Sequence, residues 1–323
     1  MKKALRVAVA AALIITLLAC FAACAKDAQV PEDPAEETMN DGAGGYTGYR
    51  QTILYYLSDD GFVVPVMRNI PWEEGIGKAA LGYLVNTPDN RASTGAMGLN
   101  ALIPEGTSYT LRIGDDGVAT VDLIGLSALE SAAAEEAMVA SIVNTLVEFT
   151  RIDKVSITLN GKKVEKLPNG TKLSEAMAPF SLNAEDGEID VSTEGASAVT
   201  LYFPNTAGSL NVPVTRYIEG AATVEGVIAE LIEGPQSESL RACFPEGTAL
   251  LSASVEAGVA TVDLSGEFLG AQYTDGLLEA AYDTLFLTIQ GVAEISRLEI
   301  LVEGEPTELV AETSAPVFAN EFR

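Results

Sequence analysis

Apolar and β-branched positions gather in short runs, and the runs recur in the same order in two stretches of the chain. Residues 52–57 (TILYYL) and 61–68 (GFVVPVMR) are one such pair, with Asp59, Asp60 and Gly61 as turn chemistry between them, and they predict a hairpin. The pair returns as residues 199–204 (VTLYFP) and 210–216 (LNVPVTR). Val224, Val227, Ile228 and Leu231 follow at helical spacing and predict a helix over 223–233, stopped by Gly234 and Pro235. In the first stretch Ile76, Ala80, Tyr83, Leu84 and Pro88 play the same part.

Two further strands come next, TSYTLRI and GVATVDL around Gly114, Asp115, Asp116 and Gly117, then TALLSASV and GVATVDL in the second stretch. A longer helix carries the largest apolar stripe of each half: Met138, Ile142, Leu146 and Phe149, then Leu278, Tyr282, Leu285 and Ile289. The strands VSITL (155–159) and LEILV (298–302) close the halves, and Asn160-Gly161 and Glu303-Gly304 turn into a last short strand. The predicted order is β, β, α, β, β, α, β, twice. The fold class is α+β: two tandem copies of a small ββαββαβ domain with helices packed on a small sheet.

The repetition extends to the letters. VPVMR (64–68) returns as VPVTR 148 residues on, IPEGT (103–107) as FPEGT 141 on, and VATVDL (118–123) unchanged 141 on, while the closing strands are 143 apart. Offsets that differ by a few residues place the insertions in loops. The expected divisions are a signal at 1–24, a flexible acidic tether at 25–50, a first domain at 51–182, a linker at 183–197, a second domain at 198–312 and a tail at 313–323. Within the tail, Val317, Phe318 and Phe322 are expected to pack back, with a docking peptide as the sharper alternative.

Composition narrows the function classes. The formal net charge of -27 repels phosphate backbones and argues against nucleic acid. With no histidine, Ser-His-Asp, Cys-His and HExxH arrangements are excluded. There is no S-x-x-K, G-x-S-x-G, C-x-x-C or G-x-x-x-x-G-K motif. No catalytic residue, cofactor or metal site is expected, and the protein is read as not an enzyme. Among 46 acids a chance carboxylate pair is easy to find, so a wall hydrolase is the least favoured reading.

Lys2, Lys3 and Arg6 precede an uncharged apolar run from Val7 to Leu18, and small residues beside cysteines follow. That pattern resembles a bacterial lipoprotein signal, with Cys24 the favoured lipidation site and Cys20 the alternative. If the segment is not cleaved, residues 7–25 read as a signal anchor. Either way the expected location is the outer face of the cell membrane. Cys243, whose first-copy counterpart is Leu102, is expected to be a buried, inert thiol.

Repeated polar residues are candidates for structural or partner-facing roles. Arg68 and Arg216 each end a VPV strand and suit either an acid of their own domain or a partner. Asp122 and Asp263 suit turn or cap formation ahead of metal binding. Glu105-Gly106, Glu246-Gly247 and the DDG sequences read as turns.

At LYF with VPVTR, LIEGP, FPEGT, VATVDLS and LEILVEG the chain resembles the GerM domain of bacterial sporulation and germination proteins. The likeness covers residues 51–167 and 198–311 and is closer in the second copy, since LIEGP is LVNTP and VDLS is VDLI in the first. It implies a ring-building-motif-like fold, no enzymatic activity, and an extracytoplasmic, noncatalytic assembly or scaffolding role in sporulation or germination. Protein partners, self-association among them, and a membrane contact through the lipid go with that role. A cell-wall or solute-binding lipoprotein is the alternative.

Overall fold

The computed structural model describes residues 48–307 and 314–322. The signal, most of the tether, Cys20 and Cys24 lie outside the described residues. In the first repeat β1 (Tyr49–Ser58) and β2 (Val63–Pro71) form the antiparallel hairpin, and β3 (Leu99–Asn100) pairs with Leu57 and Ser58 at the end of β1. Helices α1 (Ile76–Tyr83) and α2 (Pro88–Gly95) follow β2. A second sheet holds β4 (Ser108–Ile113), β5 (Val118–Ile124), β6 (Lys154–Leu159) and β7 (Lys162–Lys163) in that order, and α3 (Ala132–Val147) crosses over between the parallel strands β5 and β6.

The second repeat copies the plan. It has a hairpin of β8 (Ala196–Pro204) and β9 (Asn211–Glu219), helix α4 (Val224–Glu233), and a sheet of β10 (Leu250–Glu256), β11 (Val259–Leu264), β12 (Arg297–Val302) and β13 (Glu305–Pro306). A 3-10 helix (Gly266–Tyr273) and α5 (Leu277–Gln290) join β11 to β12. Each repeat therefore divides its strands between two sheets, with the long helix packed on both the hairpin and the parallel pair.

Helix α2 is the element that apolar periodicity does not announce, because PDNRASTG is polar almost throughout. Capping makes it: the Thr87 hydroxyl accepts from the Asn90 amide, and Pro88 takes the first turn, where no N–H is needed. The apolar stripes do fix the long helices. Met138, Ile142 and Leu146, and in the other repeat Leu285 and Ile289, are fully buried. Each such side chain contributes about 1.5–3 kcal/mol. The buried side chains of both repeats belong to one contiguous cluster.

The open edges of the two hairpins are closed by hydroxyls. In the ladder Tyr55 faces Pro65 and Tyr202 faces Pro213, and a proline has no N–H to donate, so the tyrosine's own N–H and C=O are left pointing at the outer edge. There the Tyr55 N–H donates to Thr145 Oγ1 (3.0 Å) and its carbonyl accepts from Ser141, both on α3. The Tyr202 N–H donates to Thr288 Oγ1 (3.1 Å) on α5. Each long helix thus covers the outer side of its hairpin, beyond the short pairing of β3 in the first repeat, and supplies partners for the tyrosine backbone there.

Candidate functional site: two arginines at the domain junction

Strands β2 and β9 pack against each other across the junction without sharing a ladder. Two asparagines join them. Asn183 Nδ2 donates to the carbonyls of Val63 (2.8 Å) and Pro213 (2.7 Å), and its Oδ1 accepts from the Val63 N–H (2.9 Å). Asn320 Nδ2 donates to the carbonyls of Asn211 (2.9 Å) and Pro65 (2.9 Å), and its Oδ1 accepts from the Asn211 N–H (2.8 Å). Val63 and Asn211 are repeat-mates, as are Pro65 and Pro213, so the two clamps are related by a pseudo-two-fold.

The backbone around each asparagine crosses to the other repeat. The segment that follows the first repeat lies along β9: the Thr215 N–H donates to Leu182 O, and the Glu185 N–H donates to Thr215 O. The tail that follows the second repeat lies along β2: the Met67 N–H donates to Asn320 O, and the Phe322 N–H donates to Met67 O. Asn183 and Glu185, at the start of the expected linker, are therefore part of the junction, and the tail packs back on the first repeat. Of its apolar residues Phe322 and Phe318 are half-buried, while Val317 is 77% exposed.

Each crossing segment ends on an arginine, and the two arginines are held by opposite chemistry. Arg216 is buried; its Nε and Nη2 lie 2.7 Å from Glu185 Oε2, and Nη1 lies 3.1 Å from Glu230 Oε2. The carbonyls of Glu230 and Gly234 accept its remaining N–H groups, and Glu185 Oε1 accepts from the Gln236 amide. Arg68 meets no carboxylate among the described residues. Its guanidinium lies 4.4 Å from the Tyr83 ring centroid and 4.0 Å from that of Phe322, and its buried Nη1 has no hydrogen-bond partner. Counting back from Pro235 and Pro88, Tyr83 stands where Glu230 stands. Phe322 stands where Glu185 stands. Burial pushes the nearby Tyr56 hydroxyl up to about 12, against the pull of the Arg68 guanidinium.

Asp122 and Asp263 sit in β5 and β11 and latch the closing hairpins. Asp122 Oδ1 accepts from Thr158 Oγ1 and the Gly161 N–H, both at 2.7 Å, and Asp263 Oδ1 accepts from the Gly304 N–H at 2.9 Å. Both central residues of each turn have positive φ: Asn160 (50°) with Gly161 (74°), and Glu303 (54°) with Gly304 (79°). These are the I′-type values that suit a two-residue hairpin. Cys243 is fully buried, and burial pushes its thiol up to about 12.

An open groove beside Arg216 is lined by Glu185, Glu188, Glu219, Glu230 and Glu233. Glu185 and Glu230 both face Arg216, so neither is the free half of an acid–base pair. Among the described residues no group of three His, Cys, Asp or Glu is placed to hold a metal, and no helix is long and apolar enough to cross a membrane.

The repeated VPV strands single out the arginines but not what meets them. The signal was present: Ala178-Pro179 with Asn183 returns, 137 residues on, as Ala315-Pro316 with Asn320. The duplication thus continues past the last strand into both crossing segments, and Glu185 and Phe322 occupy the same place in it.

A duplicated α+β module, its repeated polar residues spent on turns, edges and the junction, is the class this fold defines. The model of the family described as "Germane: Sporulation and spore germination" matches residues 53–165 and 200–308, and the chain belongs to that family. Over 275 residues the chain is 28% identical to the spore germination protein GerM of Bacillus subtilis (strain 168), an alignment that covers 80% of this chain and 73% of that protein. The solved tandem GerMN domains of the sporulation protein GerM from Bacillus subtilis superpose with a TM-score of 0.65 at 24% identity, covering 85% of this chain and 100% of theirs.

Proposed function

We propose that this protein is a noncatalytic scaffold that acts in sporulation or spore germination, tethered to the outer face of the membrane through Cys24. The observation that carries the reading is the junction. Two family domains are joined by paired asparagine clamps and a buried ion pair, which suits a rigid part that presents surfaces rather than a hinged cleft that closes on a solute. Family membership supports the process, and the lipoprotein-like N-terminal pattern supports the location.

The test uses the full chain in its native host. Affinity capture of the wild type and of Cys24→Ala, with identification of what is retained, is expected to recover extracytoplasmic proteins, with recovery reduced when the lipid site is lost. Deletion is expected to impair sporulation or germination. Recovery of wall sugars or muropeptides alone would overturn the scaffold reading.

A further inference from the structure

The two arginine sites are one design with different occupants. In the second repeat an extended segment lies on the β9 edge, anchors itself with Asn183, donates the Glu185 N–H to Thr215, and delivers a carboxylate to Arg216. In the first repeat the tail lies on the β2 edge, donates the Phe322 N–H to Met67 and anchors itself with Asn320, whose carbonyl takes the Met67 N–H where Leu182, the residue before Asn183, takes that of Thr215. It delivers a phenyl ring to Arg68; among the described residues the guanidinium meets no acid, and Nη1 has no hydrogen-bond partner beside the Tyr56 hydroxyl. The β2 edge is therefore a segment-binding site whose charge is unmatched by the segment that fills it.

We propose that the β2 edge with Arg68 is a docking site for an extended acidic segment of a partner protein, one with an asparagine followed two residues later by Glu or Asp, and that the tail occupies the site in its absence. The incoming segment would run parallel to β2, as the tail does at Met67 and Glu321, and the asparagine would take the Pro65 and Asn211 carbonyls from Asn320. Its carboxylate would lie on Arg68 in place of the Phe322 ring. Strand addition supplies affinity without sequence preference, and the half-buried guanidinium supplies the selectivity for an acid. Because the tail competes from within the same chain at high effective concentration, binding to the resting protein is weak and strengthens when the tail is weakened. This names the partner chemistry for the scaffold reading and rests on it.

The chain itself supplies the probe, a ten-residue peptide with the sequence of residues 178–187. Titrated into the full chain carrying Phe322→Ala, it is expected to bind at least tenfold more tightly than to the wild type. The same peptide with Glu185→Gln is expected to bind at least tenfold more weakly. Phe322→Glu in the chain places an acid on Arg68 and is expected to bring peptide binding below the wild-type level. In the unaltered chain, millimolar peptide is expected to shift the Phe322 amide resonance, which reports its bond to Met67, and the Gln peptide to leave it in place.

Equal binding of the Glu and Gln peptides would overturn the proposal, as would no saturable binding to Phe322→Ala. So would equal binding of a peptide with the sequence of residues 314–323, which would make the site a seat for the tail of a second copy. Failure here with protein partners still recovered in affinity capture would remove this site and leave the scaffold reading intact.

Discussion

The Phe322 ring centroid lies 4.0 Å from the Arg68 guanidinium, in the place that Glu185 takes on Arg216. One arginine is stabilised by a quadrupole and the other by full charges. Their removal is expected to cost different amounts. Glu185→Ala leaves Arg216 buried with half its charge partners and is expected to cost about 3–5 kcal/mol. Phe322→Ala removes a stacked, half-buried ring and is expected to cost about 1–2 kcal/mol. Urea denaturation of the two variants measures both.

The asparagine clamps are expected to couple the repeats. Asn183→Ala and Asn320→Ala each leave strand carbonyls at the junction without donors and are expected to cost about 1–3 kcal/mol. Wild-type protein is expected to melt in one transition by calorimetry, and the double variant in two, because the repeats then unfold as separate units.

Thr145→Val and Thr288→Val keep side-chain volume and remove the acceptor for the edge N–H of Tyr55 and Tyr202. A buried donor without a partner costs about 1–3 kcal/mol. The edge amides of Tyr55 and Tyr202 are expected to lose protection in hydrogen exchange while their ladder neighbours keep it.

Glu303 holds a left-handed conformation at the place where the first repeat has Asn160. Asn-Gly is the preferred pair for this turn. Its side-chain oxygen can also replace Glu303 Oε1 as acceptor for the Gly266 N–H, as Asn160 Oδ1 does for Gly125. Glu303→Asn is expected to raise stability by about 0.5–1 kcal/mol, read as a higher Tm.

Burial, with Glu279 one helical turn away, pushes the Asp283 carboxyl up from 3.8 to about 6. The folded protein then binds this proton more tightly than the unfolded chain, so the site costs stability above about pH 6 and nothing below about pH 4. Asp283→Asn is expected to gain about 1 kcal/mol at pH 7, reduced from the full linkage value by solvent at a partly exposed carboxyl, with the gain vanishing by pH 4. Unfolding free energies of the two proteins across that range measure the difference.

Much of the fold is legible in the residues because local chemistry decides it. Turn dipeptides, the Thr223 cap with its Gly234 stop, and the stripes of α3 and α5 each act within one or two turns of chain. Helix α2 shows the limit, for its cap is visible but its polar sequence has no face to announce a helix. The arginines show a different limit. Arg68 and Arg216 follow near-identical strands, yet Tyr83 and Phe322 meet one while Glu230 and Glu185 meet the other. Glu185 lies 31 residues from its arginine along the chain, and no local pattern reports it.

The sequence by itself determined that one α+β unit occurs twice, where its strands, turns and long helices fall, and which family it joins. Those properties follow from periodicity, turn chemistry and repeated letters, which are short-range and therefore written in order. The tertiary structure decided that each repeat splits its strands between two sheets, that the connecting segment and the tail cross to the opposite repeat, and that carboxylates meet one arginine while aromatic rings meet its twin. Those depend on which edges remain unpaired once the hairpins form and on which distant side chain reaches a buried charge, and both are settled only when the chain has closed on itself.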